Sequence, residues 1–319
     1  MSLAVFWDVV EIRTKLASFF PFVIGVLFSA SYFEQLHWGH TLIFFVGMLC
    51  FDMATTAINN YMDFKKAKSE EYKYQENIIG RAQVPEKNVQ LLIFSLIGIA
   101  MLVGLYLTWQ TGWLLLVMGG ICCFIGIFYT FGPVPLSRMP LGEVFSGFTM
   151  GLGIFAITIY INTFDAQIFF LNLNLKSGAF ALTGSLWSVL AIVWASLPMV
   201  FTIANIMLAN NLSDLEQDIA NHRYTLPYYI GRRPGVILFD SLMYSCYLTI
   251  LIGLLFGIYR WPILIVFATL PLVFKHVKAF NHEQVKSKTF VVSIKNLVLF
   301  NSSYALGLLL TILLEYWQG

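Results

Sequence analysis

The sequence predicts an all-α integral membrane protein, and three observations predict it. These are an apolar composition, a series of segments long enough to cross a bilayer, and a one-sided distribution of Lys and Arg. Of 319 residues, 58% are hydrophobic and 11% charged, with a mean hydropathy of +0.76. A soluble domain carries about 25% charged residues. A soluble core of this length cannot hide so much apolar surface, so lipid is the solvent. The net charge of +2 gives no reason to expect a nucleic-acid partner.

A spanning helix needs about 20 mostly apolar residues. Nine segments qualify: 16–35, 41–62, 89–108, 112–131, 141–162, 184–209, 235–257, 261–280 and 296–316. The first follows Asp8, Glu11, Arg13 and Lys15, with no A-x-A-like site behind a short apolar region. It therefore reads as a retained helix and not as a cleaved signal. The eighth is interrupted by Pro262 and Pro271. Between the fifth and sixth, residues 163–183 read as a polar-aromatic loop. Cys50, Cys122, Cys123 and Cys246 all lie in apolar runs. They show neither metal spacing nor a disulfide framework and read as small buried hydrophobes. The whole chain, 1–319, reads as one domain.

Loops between spanning helices alternate sides. With nine helices, 17 of the 19 Lys and Arg residues share one side, and only Lys176 and Arg260 fall on the other. That asymmetry puts the N-terminus in the cytoplasm, the C-terminus outside and the basic loops inside. The expected location is the plasma membrane.

Ionisable and amide side chains at membrane depth are costly and mark function by default. Two stripes stand out, both at cytoplasmic helix ends. The first closes the second segment, where Asn59 and Asp63 are four residues apart and share a helix face, with Asp52 and Thr56 deeper. The second closes the sixth segment. There Asn210, Asp214, Asp218 and His222 recur every four residues, which predicts a continuous polar ribbon on one helix. Carboxylate and amide oxygens suit Mg²⁺, which is held by one or two carboxylates plus substrate phosphates. Two facing stripes could hold two Mg²⁺ ions bridged by a diphosphate. Lys66, Arg81, Arg138 and Arg223, on the same side, would neutralise the remaining phosphate charge.

Some of these residues have plainer readings. Asp52 reads as a polar residue paired within the bundle, and Asp240 as a locally paired residue or a helix N-terminal charge. His222 reads as a surface residue sooner than as a base. A cation-coupled transporter is the competing class. It would place polar residues at the bilayer centre, whereas both stripes sit at one face.

The residues Asn59-Asn60-Tyr61-Met62-Asp63 resemble the first aspartate-rich motif of the UbiA-type membrane prenyltransferases. Asn210-Asn211, Asp214, Asp218, His222-Arg223, Thr225 and Leu226 resemble the second. Tyr129 through Pro133, Pro135, Arg138 and Leu141-Gly142-Glu143 resemble the loop between helices four and five in the menaquinone branch of that family. The resemblance implies a nine-helix bundle with a central cavity under cytoplasmic cap loops. It implies a polyprenyl diphosphate donor, its tail in the lipid, and an aromatic acceptor, 1,4-dihydroxy-2-naphthoate or, in another branch of the superfamily, 4-hydroxybenzoate or a tetrapyrrole. It assigns Asn59, Asp63, Asp214 and Asp218 to Mg²⁺, the three aspartates to catalysis, and Asn60, Asn210, Asn211 and Tyr129 to the substrate pocket. The first motif departs from the pattern. Asn60 stands where the family reads Asp, and Ala67 where an acidic residue is expected, leaving Glu70 or Glu71 to substitute.

Overall fold

The computed structural model describes residues 1–67, 70–129, 131 and 135–318, the side chains of Arg13 and Gln318 aside. Lys68, Thr130 and positions 132–134 of the loop motif lie outside the described residues. The apolar segments are helical because lipid offers no partner for backbone N–H and C=O groups, which must be satisfied within the segment. In order, the helices are α1 (Leu3–Val9), α2 (Leu16–Tyr32), α3 (Trp38–Lys66), α4 (Ile78–Arg81), α5 (Glu86–Thr111) and α6 (Trp113–Phe128). They continue as α7 (Gly142–Ala166), α8 (Leu186–Ser213), α9 (Leu215–Ala220), α10 (Leu226–Ile230), α11 (Arg232–Leu255), α12 (Trp261–His282) and α13 (Phe290–Gln318).

Every apolar segment expected from the sequence is helical, but they are not equally long. Among the described residues, seven helices are long and apolar enough to cross a membrane. Helices α2, with 17 residues, and α6, with 16, fall short of that length. Pro262 and Pro271 sit in the first turns of two successive pieces of α12, a 3₁₀ stretch over Trp261–Thr269 and an α stretch over Leu270–His282. A proline is tolerated in a first turn, where its missing N–H has no intrahelical partner.

The 163–183 loop is a correction. It holds an antiparallel hairpin, β1 (Phe169–Asn174) with β2 (Ala179–Gly184), in register from Phe169 opposite Gly184 to Asn174 opposite Ala179. Asn174 Oδ1 accepts from the N–H groups of Lys176 and Ser177, and Gly178 takes the positive φ of 69° that closes the turn.

Helix α8 is the hub, packed along α7, α11 and α13, while α13 also lies on α2 and so closes the bundle. Its approach to α7 is close, backbone against backbone. A Cβ on Gly151 would stand 2.6 Å from Val200 N and 2.7 Å from Val200 Cα, both backbone atoms. Without a hydrophobic force between helices in lipid, such close small-residue contacts supply the packing. Gly151 lies in a π-helical turn, Gly147–Ile154. Gly151→Ala is expected to cost about 1–3 kcal/mol through overpacking, seen as a lower thermal midpoint of the purified protein. Gly98→Ala, whose added carbon meets nothing within 4 Å, should leave the midpoint unchanged or raise it.

One ion pair is built into the bundle. Lys15 is 5% exposed. Its Nζ donates to Asp52 Oδ1 at 2.8 Å, to the Asp52 carbonyl at 3.1 Å and to Thr56 Oγ1 at 2.6 Å. Ser18 Oγ donates to the second Asp52 oxygen at 2.5 Å. Asp52 is thus paired within the bundle, as its sequence context suggests, and Asp240 is paired too, accepting from Asn281 Nδ2 at 2.7 Å.

Candidate active site

The last turns of α3 present Asn59, Met62, Asp63 and Lys66 on one face, at helical spacing. They meet the end of α8, which brings Met207 and Asn210, and the segment after α6, which brings Tyr129, Ser137 and Arg138. Together with Arg223 these residues enclose a polar cavity of about 170 Å³. Its walls hold one carboxylate, Asp63, against three cations, Lys66, Arg138 and Arg223. All three positive charges act on Asp63. A pocket with this balance suits a polyanion, since a bare cation would meet net repulsion.

The second stripe is not the continuous ribbon that its spacing predicts. Helix α8 stops at Ser213, Asp214 bridges to α9 at φ −99°, ψ 8°, and the chain leaves α9 through Asn221. His222 takes a positive φ of 55° and its ring faces the Tyr224 hydroxyl at 3.4 Å. It is off the site. The break keeps three polar side chains of the stripe close by different means. Asn210 lines the cavity. Asp214 is paired with Lys286 Nζ, which also donates to Asn210 Oδ1 at 2.5 Å. Asp218 is 4% exposed, with Oδ1 3.5 Å from Arg223 Nη1 and Oδ2 buried without a hydrogen-bond partner among the described residues. Burial pushes its carboxyl above the ordinary carboxylate range, against the pull of Arg223.

Other expected site residues lie elsewhere. Asn60 points away from the cavity. Its Nδ2 donates to the Val9 carbonyl at 2.9 Å and to Glu11 Oε1 at 3.2 Å, and its own carbonyl accepts from Asn77 Nδ2 at 3.0 Å. This explains the departure from the family pattern. An aspartate there would face a carbonyl and a carboxylate with nothing to donate. Asn211 is buried and donates to Glu143 Oε1 at 2.8 Å, so it ties α8 to α7 and does not line the pocket. Arg81 is exposed at the end of α4 and outside the cavity wall. Ala67 ends α3 in an extended conformation, and Glu70 and Glu71 are exposed and contribute nothing to the wall. Lys65 is engaged by Glu86 at 2.8 Å.

Among the described residues no three His, Cys, Asp or Glu side chains converge closely enough to hold a metal unaided. The donor set nevertheless fits Mg²⁺. The oxygens of Asn59, Asp63 and Asn210 line a pocket charged for phosphate, while Asp214 and Asp218 stand outside its wall, linked to it through Lys286 and Arg223. Mg²⁺ characteristically completes its shell with substrate phosphates and water.

A second cavity, of about 490 Å³ and almost wholly apolar, lies among α6, α7 and α8 and includes Met118, Cys122, Ile125, Phe148 and Ile192. Tyr129, whose N–H bonds the Ile125 carbonyl at 2.8 Å, stands one turn beyond Ile125. One wall thus carries a residue of each cavity. The single central cavity implied by the resemblance is here a small polar pocket and a larger apolar one.

Sequence reasoning passed over Met62, Ser137, Met207 and Lys286. Lys286 is 72 residues from Asp214, and no local pattern distinguishes it from other loop lysines.

Solved structures similar to this one share its fold. A UbiA homolog from Aeropyrum pernix K1 matches with a TM-score of 0.69 at 14% identity, over 92% of this chain and 98% of that one. A UbiA homolog from Archaeoglobus fulgidus, bound to DMAPP and Mg²⁺, matches at 0.61 and 11% identity, over 94% and 99%. In sequence, 1,4-dihydroxy-2-naphthoate octaprenyltransferase of Bacillus subtilis is 27% identical over 98% of this chain and 94% of its own length. The UbiA prenyltransferase family model matches residues 18–303, which takes in both aspartate stripes, the cavity they border and nearly all of the bundle. The chain belongs to the UbiA prenyltransferase family.

Proposed function

We propose that the chain transfers a polyprenyl group from a polyprenyl diphosphate to 1,4-dihydroxy-2-naphthoate, with Mg²⁺, releasing diphosphate and CO₂ and giving demethylmenaquinol. The observation that carries this reading is the polar cavity, with three cations and one carboxylate in its wall and metal-type oxygens along its rim. The same charge balance argues against a cation-coupled transporter.

Asn59, Asp63, Asp214 and Asp218 would hold the metal, with Asn210 beside them. Bound there, Mg²⁺ supplies Lewis-acid polarisation of the diphosphate leaving group. Lys66, Arg138 and Arg223 bind the diphosphate oxygens and stabilise charge that grows as the C–O bond breaks, a preorganised electrostatic effect. The apolar cavity beyond Tyr129 takes the prenyl chain and keeps water from the allylic cation. The electron-rich acceptor ring then attacks that cation. The one-sided Lys and Arg distribution supports a cytoplasmic pocket in the plasma membrane, where a soluble naphthoate and Mg²⁺ are at hand.

The acceptor rests on the Bacillus subtilis relative and on the loop motif between α6 and α7. Membranes containing the protein, given labelled prenyl diphosphate and carboxyl-labelled 1,4-dihydroxy-2-naphthoate, should release labelled CO₂ in step with a prenylated product. Transfer to 4-hydroxybenzoate with none to the naphthoate would overturn the acceptor and keep the reaction class.

A further inference from the structure

We infer that Lys286 is a mobile cation of this site, competing with a divalent metal for Asn210 and Asp214 and, once displaced, donating to the diphosphate. The inference rests on the reading of the pocket as a metal–diphosphate site.

Lys286 lies in the short connection between α12 and α13. Its Nζ donates to Asn210 Oδ1 at 2.5 Å and to Asp214 Oδ2. Asp214 is one of the residues that would hold the proposed metal, and Asn210 lies beside them. An ammonium held on Asp214 Oδ2 and a divalent cation taking the same oxygen compete for its lone pairs and repel each other. Metal that binds through Oδ2 would therefore displace Lys286.

The connection is built for such a movement. Its backbone is fixed. Thr289 Oγ1 donates to the Glu283 carbonyl at 2.8 Å and accepts from Val285 N–H at 2.9 Å, and Lys288 N–H reaches the Val285 carbonyl at 3.0 Å. Gln284 Nε2 donates to the Phe280 carbonyl at 2.7 Å and Gln284 Oε1 accepts from Arg232 Nη1 at 3.3 Å. Arg232 in turn holds Glu216 on α9 at 2.6 Å. The lysine side chain, by contrast, is 49% exposed, and its ammonium lies 5.5 Å from the Phe290 ring centroid. A compact charge on a four-carbon stem is suited to swinging from an anchored base. Asn210, one of its two partners, also lines the polar cavity, so the displaced ammonium stays beside the diphosphate oxygens. It would add a fourth cation to Lys66, Arg138 and Arg223.

Competition and donation predict opposite signs for one substitution, whereas a lysine that merely pinned α8 to the α12–α13 connection would weaken both ligands. Mn²⁺ binding to the purified full-length protein in detergent is followed by electron paramagnetic resonance, first alone and then with inorganic diphosphate. Lys286→Met should bind Mn²⁺ alone about threefold tighter or more. It should bind inorganic diphosphate with Mn²⁺ about tenfold more weakly. Lys286→Arg, which keeps the charge, should stay near the wild-type protein in both. Unchanged or weakened Mn²⁺ binding in Lys286→Met, or undiminished diphosphate binding, overturns the inference while the pocket's reading stands. Wild-type protein that binds no Mn²⁺, or Asp218→Ala that binds it undiminished, overturns the reading and the inference with it.

Discussion

Asp63→Ala and Asp218→Ala are each expected to lower Mg²⁺-dependent prenyl transfer by about 10³-fold while the protein stays folded. The two aspartates enter by different routes. Asp63 is the one carboxylate in the cavity wall, set among Lys66, Arg138 and Arg223. Removing it leaves the cavity wall with three cations and no carboxylate and takes away a proposed metal oxygen at the point where leaving-group charge develops. Loss of a single well-placed group acting on that charge costs about 10²–10³ in rate. Asp218 is buried with one oxygen unpartnered. Its loss removes both a metal donor and the anchor of Arg223, which would be freed from the 3.5 Å contact that directs it to the cavity. Asp218→Asn should recover part of the Arg223 positioning but little of the activity, since an amide keeps an oxygen without the charge. Turnover by detergent-purified protein, with thermal unfolding and size-exclusion profiles as folding controls, measures this. Activity within a few-fold of wild type in both alanine variants would sink the site.

How much of this was legible beforehand depends on the range of the interaction. Asn59, Asp63 and Lys66 could be read together because all three lie on one helix, where spacing alone fixes the shared face. That Arg138 and Arg223 keep company with them followed from counting charges between spans. The periodicity of Asn210, Asp214, Asp218 and His222 was real as sequence but misleading as geometry. The backbone bends at Asp214 and reverses at His222, and no four-residue repeat reports a change in φ. Asn60 and Asn211 matched motif positions yet serve to tie elements together. Which amide faces a pocket and which faces a neighbour is decided by tertiary packing. Lys286 was invisible for the plainest reason. Its partners, Asn210 at the end of α8 and Asp214 just past it, lie 76 and 72 residues earlier, and a lysine in a basic loop looks like a topology signal. The same blindness hid Lys15, counted among the cytoplasmic positive charges although it lies inside the bundle.

Lys15→Met is expected to destabilise the fold by about 3–5 kcal/mol, the usual consequence of leaving one member of a buried ion pair alone. The Lys15 ammonium satisfies one Asp52 oxygen, the Asp52 carbonyl and Thr56 Oγ1. The thioether of methionine replaces the volume but none of the donors. Asp52 would keep only the Ser18 hydroxyl, which is too little to hold a charge in this setting. Lys15→Met combined with Asp52→Asn should be more stable than Lys15→Met alone, because the uncompensated charge is gone. The difference between the double variant and the sum of the singles gives the coupling. Asp52 stands eleven residues before Asp63 on α3, about 16 Å along the helix. Turnover per folded molecule should therefore hardly change at temperatures where the variant remains folded. Equal thermal midpoints for Lys15→Met and wild type would mean that the pair contributes nothing to stability. A large fall in turnover without a fall in the midpoint would mean that it belongs to the chemistry and not to the scaffold. The geometry favours the scaffold, because the pair joins the start of α2 to the middle of α3 and fixes the depth at which α3 carries its polar end.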